Sequence, residues 1–343
     1  MLRTAEWVSP KHPDKMCDRI ADLIVQECLR QDPESRCAIE VMGGHGIVTI
    51  TGELTTKAYV DIAEIPALIT GQRLGVQVNV VKQSPEIARG VDVGGAGDQG
   101  IMVGYACDDN DDMVPRELFL ARKLGMYLWN NIGAHDGKTQ VTIDEEGKVQ
   151  TVVISWAKTE KEKILDALID WWQNAFEEFK LDSIESVEVH VNPCGDWYLS
   201  GFDADTGLTG RKIAVDSYGP NIPVGGGAFS GKDPSKVDRS GAYAARAVAV
   251  QLLKLEKAKE VYVYLAYAIG KEHPVQAVAR IHYGGKEPYS IDKALPLEVF
   301  TPKNIIEKLK LRDHIEVDYQ MVAAFGHFGT LMTWNGAVDL LPC

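Results

Sequence analysis

The spacing of apolar residues predicts a chain in which helices and strands alternate. Ile20, Ile24 and Cys28 recur at helical spacing behind Pro13, which suits a first helical turn, so we predict a helix over residues 14–31. The same reasoning predicts further helices over residues 160–180, 239–255 and 301–311. Alternation with a period of two predicts strands over residues 37–42, 46–55, 76–80, 140–143, 149–156, 187–191, 261–268 and 277–283.

The order of these elements predicts an α+β fold. Strands arrive in adjacent pairs between long helices, which is typical of antiparallel sheets covered by helices and untypical of a doubly wound parallel sheet. Because a single core rarely grows to 343 residues, we expect several domains. We predict three similar α+β domains with mainly antiparallel sheets covered by helices, over residues 1–88, 92–203 and 204–343. Their similar make-up suggests an internal repeat, although no period is visible in the sequence.

The composition narrows the classes of partner and compartment. A formal net charge of −13 at pH 7 argues against nucleic acid as a partner. No stretch approaches the roughly 18 apolar residues of a membrane span, and residues 1–6 lack the apolar core of a signal peptide, so we expect no membrane association and a cytoplasmic location. The cysteines lack C-x-x-C spacing and histidine partners, which favours reduced thiols. They are Cys17, Cys28, Cys37, Cys107, Cys194 and Cys343.

Residues 225–239 combine glycines with two lysines and two carboxylates in one short segment. Glycines expose backbone N–H groups to phosphate oxygens, Lys232 and Lys236 add point charges, and Asp238 can hold a hard cation that bridges them. In a chain of net negative charge, this group of cations is a local feature. The segment therefore predicts a polyphosphate site that uses a metal, with a glycine-rich surface loop as the alternative.

Two nucleotide fingerprints fail on their context. Residues 226–232 fit the start of a P-loop, but Asp233 stands where Ser or Thr binds magnesium, and residues 218–223 cannot form the preceding strand. Residues 95–100 fit G-x-G-x-x-G, but no apolar strand leads into them and Asp98 puts a negative charge where pyrophosphate would lie. Asp98 at a tight turn suits an ammonium group instead, with a purely structural turn as the alternative.

Further cationic and anion-binding features lie outside that segment. Residues 12–15 place a histidine and a carboxylate at a predicted helix start, where the helix dipole favours an anion. Lys138, Arg211 and Lys212 add three cations beside predicted strands. A single lysine at a strand edge is ordinarily solvated, so it is their number that indicates an anionic substrate.

Taken together, the motifs resemble the S-adenosylmethionine synthetase family, also called methionine adenosyltransferases. The resemblance runs from His12 to Gly329, with the motifs in the family's order. They are His12-Pro13-Asp14-Lys15, Gly52-Glu53-Leu54-Thr55-Thr56, Lys82-Gln83-Ser84-Pro85, Gly95-Ala96-Gly97-Asp98-Gln99-Gly100, Lys138-Thr139-Gln140-Val141-Thr142, Gly207-Leu208-Thr209-Gly210-Arg211-Lys212, residues 225–239 and Gly326-His327-Phe328-Gly329.

The resemblance implies that the sulfur of methionine attacks C5′ of ATP and that the released tripolyphosphate is hydrolysed to pyrophosphate and phosphate. The negative charge that develops on this leaving group must be met by preorganised cations. The sulfur is already a nucleophile, so no catalytic serine, cysteine or general base is needed for the first step, and the sequence contains no convincing triad.

The resemblance also implies a role for individual residues. The implied catalytic residues are His12, Lys138, Arg211, Lys212 and Lys232. The implied ATP-binding residues are His12, Asp136, Lys138, Trp197, Asp205, Arg211, Lys212, Ala228 and Lys232. The implied methionine-binding residues are Glu53, Gln83, Asp98, Asp205 and Lys236. Asp14 and Asp238 would bind two Mg²⁺ ions per site, and Glu40 would bind K⁺ unless it is an ordinary strand carboxylate.

The resemblance further implies a homodimer with shared active sites, paired into a homotetramer. In this arrangement, one chain contributes His12, Lys138 and Arg211 to an active site. They face residues of the second chain, which are Glu53, Asp98 and Lys232. ATP and L-methionine are the implied substrates.

The chain departs from the family's usual pattern at several positions. Lys11 stands where glycine is usual, and Asp196-Trp197 replaces an Arg-Phe pair. Thr206 and Val224 replace a usual cysteine and histidine, and the segment between Pro85 and Gly95, normally a flap over the site, is short. Asp196 and the short flap motivate one alternative function, a non-catalytic ATP-binding regulator. An ATP-dependent kinase or ligase that uses residues 225–239 is the other.

Overall fold

The computed structural model describes residues 2–83, 94–329 and 332–342. Within them the chain forms twelve strands and eight α-helices. The strands are β1 (Arg3–Val8), β2 (Arg36–Gly44), β3 (Ile47–Thr55), β4 (Gly75–Val81), β5 (Gly100–Cys107), β6 (Gly137–Ile143), β7 (Val149–Trp156), β8 (Glu188–Val191), β9 (Gly207–Leu208), β10 (Glu260–Tyr267), β11 (Gln276–Tyr283) and β12 (Tyr289–Ala294). The helices are α1 (Pro13–Gln31), α2 (Ile65–Thr70), α3 (Arg116–Asn131), α4 (Lys161–Ala175), α5 (Ile213–Asp216), α6 (Val237–Glu256), α7 (Pro302–Lys308) and α8 (Tyr319–Phe325).

The strands form three four-stranded sheets that share one plan. Their orders are β4-β3-β2-β9, β8-β7-β6-β1 and β12-β11-β10-β5, which we call the N-terminal, central and C-terminal sheets. Each contains a central antiparallel pair, and the long helices α1, α3 and α6 pack on the three sheets in turn. Seven of the nine strand pairings are antiparallel, so the predicted α+β class with mainly antiparallel sheets is confirmed.

The edge strand next to each central pair comes from a different part of the chain. β1 precedes α1 but pairs with β6 in the central sheet, and β5 precedes α3 but pairs with β10 in the C-terminal sheet. β9 closes the cycle, because it precedes α6 and pairs with β2 in the N-terminal sheet. Each sheet therefore takes one strand from a different one of the three predicted segments, and the boundaries of residues 1–88, 92–203 and 204–343 stay a prediction.

Two predicted helices are too long, and one of them is the helix over residues 301–311, because α7 ends at Lys308. The pattern predicts a helix over residues 160–180, but α4 ends at Ala175. The side chain of Arg116 donates from Nη2 to the carbonyls of Phe179, at 2.7 Å, and Lys180, at 3.2 Å, and Lys180 has a φ of +51°. This left-handed residue cannot continue a helix. Among the described residues, no helix is both long and apolar enough to cross a membrane.

Three aspartates on α1 tie this helix to loops that lie 192 to 209 residues further along the chain. Asp14, Asp18 and Asp22 are four residues apart, so their side chains share one face of the helix. Their carboxylates accept backbone hydrogen bonds, in the same order, from the N–H groups of Leu208 at 2.9 Å, Gly210 at 2.8 Å and Gly231 at 2.8 Å. We call these residues the aspartate row. Its hydrogen bonds hold two segments against α1, one that contains Leu208 and Gly210 and one that contains Gly231.

The last member of the aspartate row also forms a buried ion pair. Nη2 of Arg239, on α6, donates to both carboxylate oxygens of Asp22 at 2.6 Å, and neither side chain is exposed. The guanidinium carbon of Arg239 lies 4.4 Å from the ring centroid of Tyr319, on α8. The pair therefore joins α1, α6 and α8 in the interior.

We expect Asp22→Asn to destabilise the protein strongly, because it leaves Arg239 buried without a countercharge. Removing one partner of a buried pair costs about 3–5 kcal/mol. The midpoint of thermal unfolding, followed by circular dichroism, should fall by several degrees. Asp292→Asn is the matched control, since Asp292 forms an exposed pair with Arg280 at 2.8 Å and should leave the midpoint unchanged. Equal midpoints for the two variants would contradict this role of the Asp22–Arg239 pair.

Candidate active site

One group of the predicted site residues lies at the start of α1. His12 caps this helix, and its Nδ1 accepts the backbone N–H of Asp14 at 3.2 Å. The carboxylate of Asp14 is hydrogen bonded to Lys212 and lies 3.5 Å from Nε of Arg211. The charges of Lys138 and Lys212 also act on His12. We call these five residues the α1 group; His12, Arg211 and Lys212 lie at the carboxylate of Asp14, while Lys138 acts on His12 and lies 3.9 Å from a carboxylate oxygen of Glu6.

His12 is neutral at physiological pH. Burial, followed by the charges of Lys212 and Lys138, lowers the pKa of His12 to about 3. Because Nδ1 accepts a hydrogen bond, the single ring proton of the neutral imidazole is assigned to Nε2. His12 can therefore donate a hydrogen bond to an anion without carrying a positive charge.

Asp14 is ionised despite its burial. Burial raises the pKa of Asp14, but the hydrogen bonds from Lys212 and from the N–H of Leu208 outweigh this effect and hold it below its ordinary value. The side chain is 2% exposed. A buried, ionised carboxylate of this kind suits a hard cation such as Mg²⁺.

The residues predicted for the nucleoside end lie beside the α1 group. Oδ2 of Asp136 accepts the N–H of Gly201 at 2.9 Å, and burial raises the pKa of Asp136 to about 6. Asp205 is exposed, and its charge acts on both His12 and Asp136. Trp197 is half-buried and follows β8 in sequence. Ala228 lies next to Gly210, so it also belongs to this side of the site.

A second group of predicted residues lies around Lys232. The Nζ of Lys232 is paired with Asp238, and the backbone of Lys232 bridges to Ala38 on β2. Glu40 lies on β2 as well. Partial burial raises the pKa of Glu40, and the charge of Lys232 opposes that rise. We call Lys232, Asp238 and Glu40 the Lys232 group. Lys236 is separately paired with the buried Asp233 at 2.8 Å.

Glycines in residues 225–231 let this segment approach its neighbours. A Cβ at Gly227 would overlap the carboxylate of Asp238. Gly231 has a φ of +83°, and a Cβ there would overlap the carbonyl oxygen of Ile39. Residues 221–231 contain no strand, and residues 95–100 lead into β5 and not into a helix. Rejection of the P-loop and of the dinucleotide fingerprint is therefore confirmed.

The residues predicted to place methionine lie beside the Lys232 group or close to β3. Glu53 pairs in register with Ala38, so Glu53, Ala38 and Lys232 form a row across neighbouring chain segments. Gln83 is buried, and its N–H donates to Thr55 Oγ1 at 3.3 Å. Within the described part of the chain, Oε1 of this glutamine has no hydrogen-bond partner. Asp98 is exposed, and its Oδ1 accepts the N–H of the next residue at 2.7 Å. Ser84 and Pro85 of the Lys82–Pro85 motif lie outside the described residues, as does the short flap between Pro85 and Gly95 except for Gly94.

The α1 group and the Lys232 group are not joined within one chain. Over residues 2–83, 94–329 and 332–342, no hydrogen bond or ion pair connects a member of one group to a member of the other. Both lie along β2, where Met42 pairs with Leu208 and Ala38 bridges to Lys232. The predicted site residues therefore fall into two separate groups beside β2, and we call each group a half-site.

The two predicted magnesium ligands fall in different half-sites. Among the described residues, no three metal-ligating side chains come together. This arrangement fits Mg²⁺, because proteins usually hold that ion with one or two carboxylates while substrate phosphates and water complete the shell. Asp14 and Asp238 are each paired with a lysine, Lys212 and Lys232, so each half-site combines a carboxylate with a cation for phosphate.

The sequence analysis missed the carboxylates that hold this site in place. Asp18 and Asp22 bind the backbone of the two glycine segments, and Lys15 is paired with the buried Asp216. The available signal was three aspartates at four-residue spacing on a helix whose other buried residues are mostly apolar. Carboxylates are rarely buried unless they are paired, so three of them at helical spacing on the buried face of a helix indicate buried partners.

Comparisons with known proteins show the family of this chain. Family models for S-adenosylmethionine synthetase match the chain with the N-terminal domain over residues 1–84, the central domain over 93–197 and the C-terminal domain over 199–336. The chain is 40% identical to the S-adenosylmethionine synthase of Fusobacterium nucleatum, over 95% of this chain and 92% of that protein. It is 41% identical to the S-adenosylmethionine synthase of Kosmotoga olearia, over 96% of this chain and 94% of that protein.

The fold agrees with a solved relative as well. An S-adenosylmethionine synthetase from Campylobacter jejuni superposes with a TM-score of 0.84 at 30% identity, over 97% of this chain and 96% of that one. The chain therefore belongs to the S-adenosylmethionine synthetase family and is a methionine adenosyltransferase.

Proposed function

We propose that this chain makes S-adenosylmethionine from ATP and L-methionine and then hydrolyses the tripolyphosphate. A lone pair of the methionine sulfur forms the S–C5′ bond while the C5′–O bond breaks, and the bonding electrons leave with the tripolyphosphate. The observation that carries this proposal is the concentration of Lys138, Arg211, Lys212 and Lys232 in two half-sites of a chain whose net charge is −13. Such cations stabilise the charge that the leaving group develops.

His12 serves this reaction as a neutral hydrogen-bond donor. Its Nε2 carries the proton and donates to a phosphate oxygen near the C5′–O bond, while Asp14 holds the orientation of the ring through its backbone N–H. Since the pKa of His12 is about 3, the ring keeps this role throughout the neutral range. Hydrolysis then adds water to the tripolyphosphate, which remains held by the lysines of both half-sites.

Asp14 and Asp238 would hold Mg²⁺ on the polyphosphate, with two ions per site, and Glu40 would hold K⁺. When bound, Mg²⁺ neutralises part of the charge of the leaving group. Lys212 and Lys232 are the present partners of the two carboxylates, and they turn to the phosphates when substrate binds. Each half-site therefore exchanges an internal ion pair for contacts with the metal-bound nucleotide.

Two chains build each active site. The α1 group of one chain faces the Lys232 group, Glu53 and Asp98 of the other, because neither half-site is complete within a chain. Exposed apolar side chains on the N-terminal sheet support such a homodimer, which pairs further into a homotetramer. They are Met42, Ile47, Val78, Val81 and Leu208.

The comparisons do not favour the two alternative functions, a kinase or ligase and a non-catalytic regulator. An assay with ATP, methionine, Mg²⁺ and K⁺ distinguishes all three. We expect S-adenosylmethionine, pyrophosphate and phosphate in equal amounts by chromatography and ³¹P NMR, and hydrolysis of added tripolyphosphate without methionine. Formation of ADP, or ATP binding without turnover, would contradict the proposal.

We expect Asp238→Asn to lose activity by about 10²-fold or more, because it removes a ligand of the metal that stabilises the leaving group. The rate of S-adenosylmethionine formation, measured over a range of Mg²⁺ concentrations, checks this expectation. Asp292→Asn is the control for loss of a surface carboxylate, and thermal unfolding confirms that both variants fold. Near-normal turnover in folded Asp238→Asn would remove Asp238 from the metal site.

The shared site is tested by refolding two inactive variants together. His12→Asn and Lys232→Met lie in different half-sites, so a mixed dimer has one doubly altered site and one intact site. Random mixing should restore about a quarter of wild-type activity, because about half of the dimers are mixed and half of their sites are intact.

A matched pair of variants supplies the control for this experiment. His12→Asn and Lys212→Met both alter the α1 group, so their mixed dimers contain no intact site and should stay inactive. Recovery by neither mixture, when mass spectrometry shows that mixed dimers are present, would contradict the shared site.

A further inference from the structure

A cavity lined by basic residues lies beside the nucleoside end of the site. It has a volume of about 130 Å³ and lies between the start of α1, the end of α2, the loop before β6 and residues 200–202. Lys11, His135, Lys158 and Asp136 are among its lining residues. None of the three basic residues belongs to the half-sites described above.

The basic side chains at this cavity lack carboxylate partners. Nζ of Lys11 donates to the backbone carbonyls of Ile69 at 3.2 Å and Thr70 at 3.4 Å, which leaves a third N–H free. In the part of the chain that the structure describes, neither Lys11 nor Lys158 has a carboxylate oxygen within 4 Å. Arg19 behind Lys11 is equally without a carboxylate, and its Nε is buried with no hydrogen-bond partner.

The positive charges of Lys11, Arg19 and Lys158 repel one another, while the lowered pKa of His135 leaves its ring neutral, as a hydrogen-bond donor. Burial, then the charges of Arg19 and Lys158, lower the pKa of Lys11, and burial followed by Lys158 lowers the pKa of His135. The acidic lining residue, Asp136, already accepts the N–H of Gly201, and burial raises its pKa to about 6, so it offers limited compensation. A cluster of like charges around a cavity is stabilised when an anion occupies it.

The backbone holds Lys158 at the cavity in an unusual conformation. Lys158 has a φ of +56°, a region that lysine rarely adopts. Its N–H donates to the carbonyl of Trp197 at 2.8 Å, and the N–H of Ala157 donates to the carbonyl of Asp136 at 2.9 Å. These bonds keep Lys158 beside the nucleoside loop while its ammonium group has no hydrogen-bond partner among the described residues.

We propose that this cavity binds orthophosphate through Lys11, Lys158 and His135. A tetrahedral oxyanion fits the volume, accepts from several donors at once and supplies the charge that the cluster lacks. The choice of orthophosphate rests on the proposed function, which releases this anion next to the cavity. The cationic lining does not depend on that function.

Orthophosphate binding to the folded protein tests this proposal. Isothermal titration of the wild type without ATP should show two classes of site, one at the half-sites and one at this cavity. Lys232→Met should weaken the first class alone. Lys11→Gln and Lys158→Gln should each weaken the second class about tenfold, as expected for loss of a charged hydrogen bond. Lys303→Gln, at an exposed position on α7, is the matched control for loss of one positive charge.

The outcomes separate the alternatives. A single class of site, lost in Lys232→Met and unchanged in Lys11→Gln and Lys158→Gln, would overturn the proposal. Equal weakening by Lys303→Gln would overturn it too, because the effect would then be one of net charge. Lys11 also contacts α2. If Lys11→Gln fails to fold for that reason, the result with Lys158→Gln alone decides the test. Phosphate binding at the cavity in a protein that makes no S-adenosylmethionine would contradict the proposed function and leave this inference standing.

Discussion

The site depends on hydrogen bonds between the aspartate row of α1 and the backbone of two segments that lie 192 to 209 residues further along the chain. Asp14, Asp18 and Asp22 hold Leu208, Gly210 and Gly231 with bonds of 2.8–2.9 Å. Arg211, Lys212 and Lys232 directly follow the anchored residues, so the row sets where the main cations lie. These carboxylates belong to a buried helix face, which makes the cationic arrangement a preorganised property of the fold.

The aspartate row also holds one of the strands that are exchanged among the three sheets. β9 carries Leu208, which Asp14 binds, and pairs with β2 in the N-terminal sheet, while β1 and β5 complete the other two sheets in the same cyclic manner. Each of the three repeated units is thus locked to another. This arrangement places segments that carry both half-sites next to the same strand, because Leu208 pairs with Met42 and Lys232 bridges to Ala38 on β2.

Local patterns predicted the elements with a clear period, and long-range contacts decided the others. α1, β7 and the paired strands of all three sheets followed from periodicity. β12 was missed because all of its residues are exposed and it has no apolar alternation, while β1 and β5 depend on partners 130 or more residues away. In the site, residue types identified the cations. Their division into two half-sites could not be predicted, because it arises from bonds that cross the whole chain, and neither could the pairing of Lys236 with Asp233.

Hydrogen exchange at the backbone amides of Leu208, Gly210 and Gly231 in the free protein tests the central claim most directly. If the aspartate row holds the two segments before substrate binds, these amides exchange slowly without ATP, far more slowly than exposed Gly226 in the same loop region. Addition of a non-hydrolysable ATP analogue then changes their rates little. Exchange as fast as that of Gly226, with protection that develops only when the analogue binds, would contradict a preorganised site.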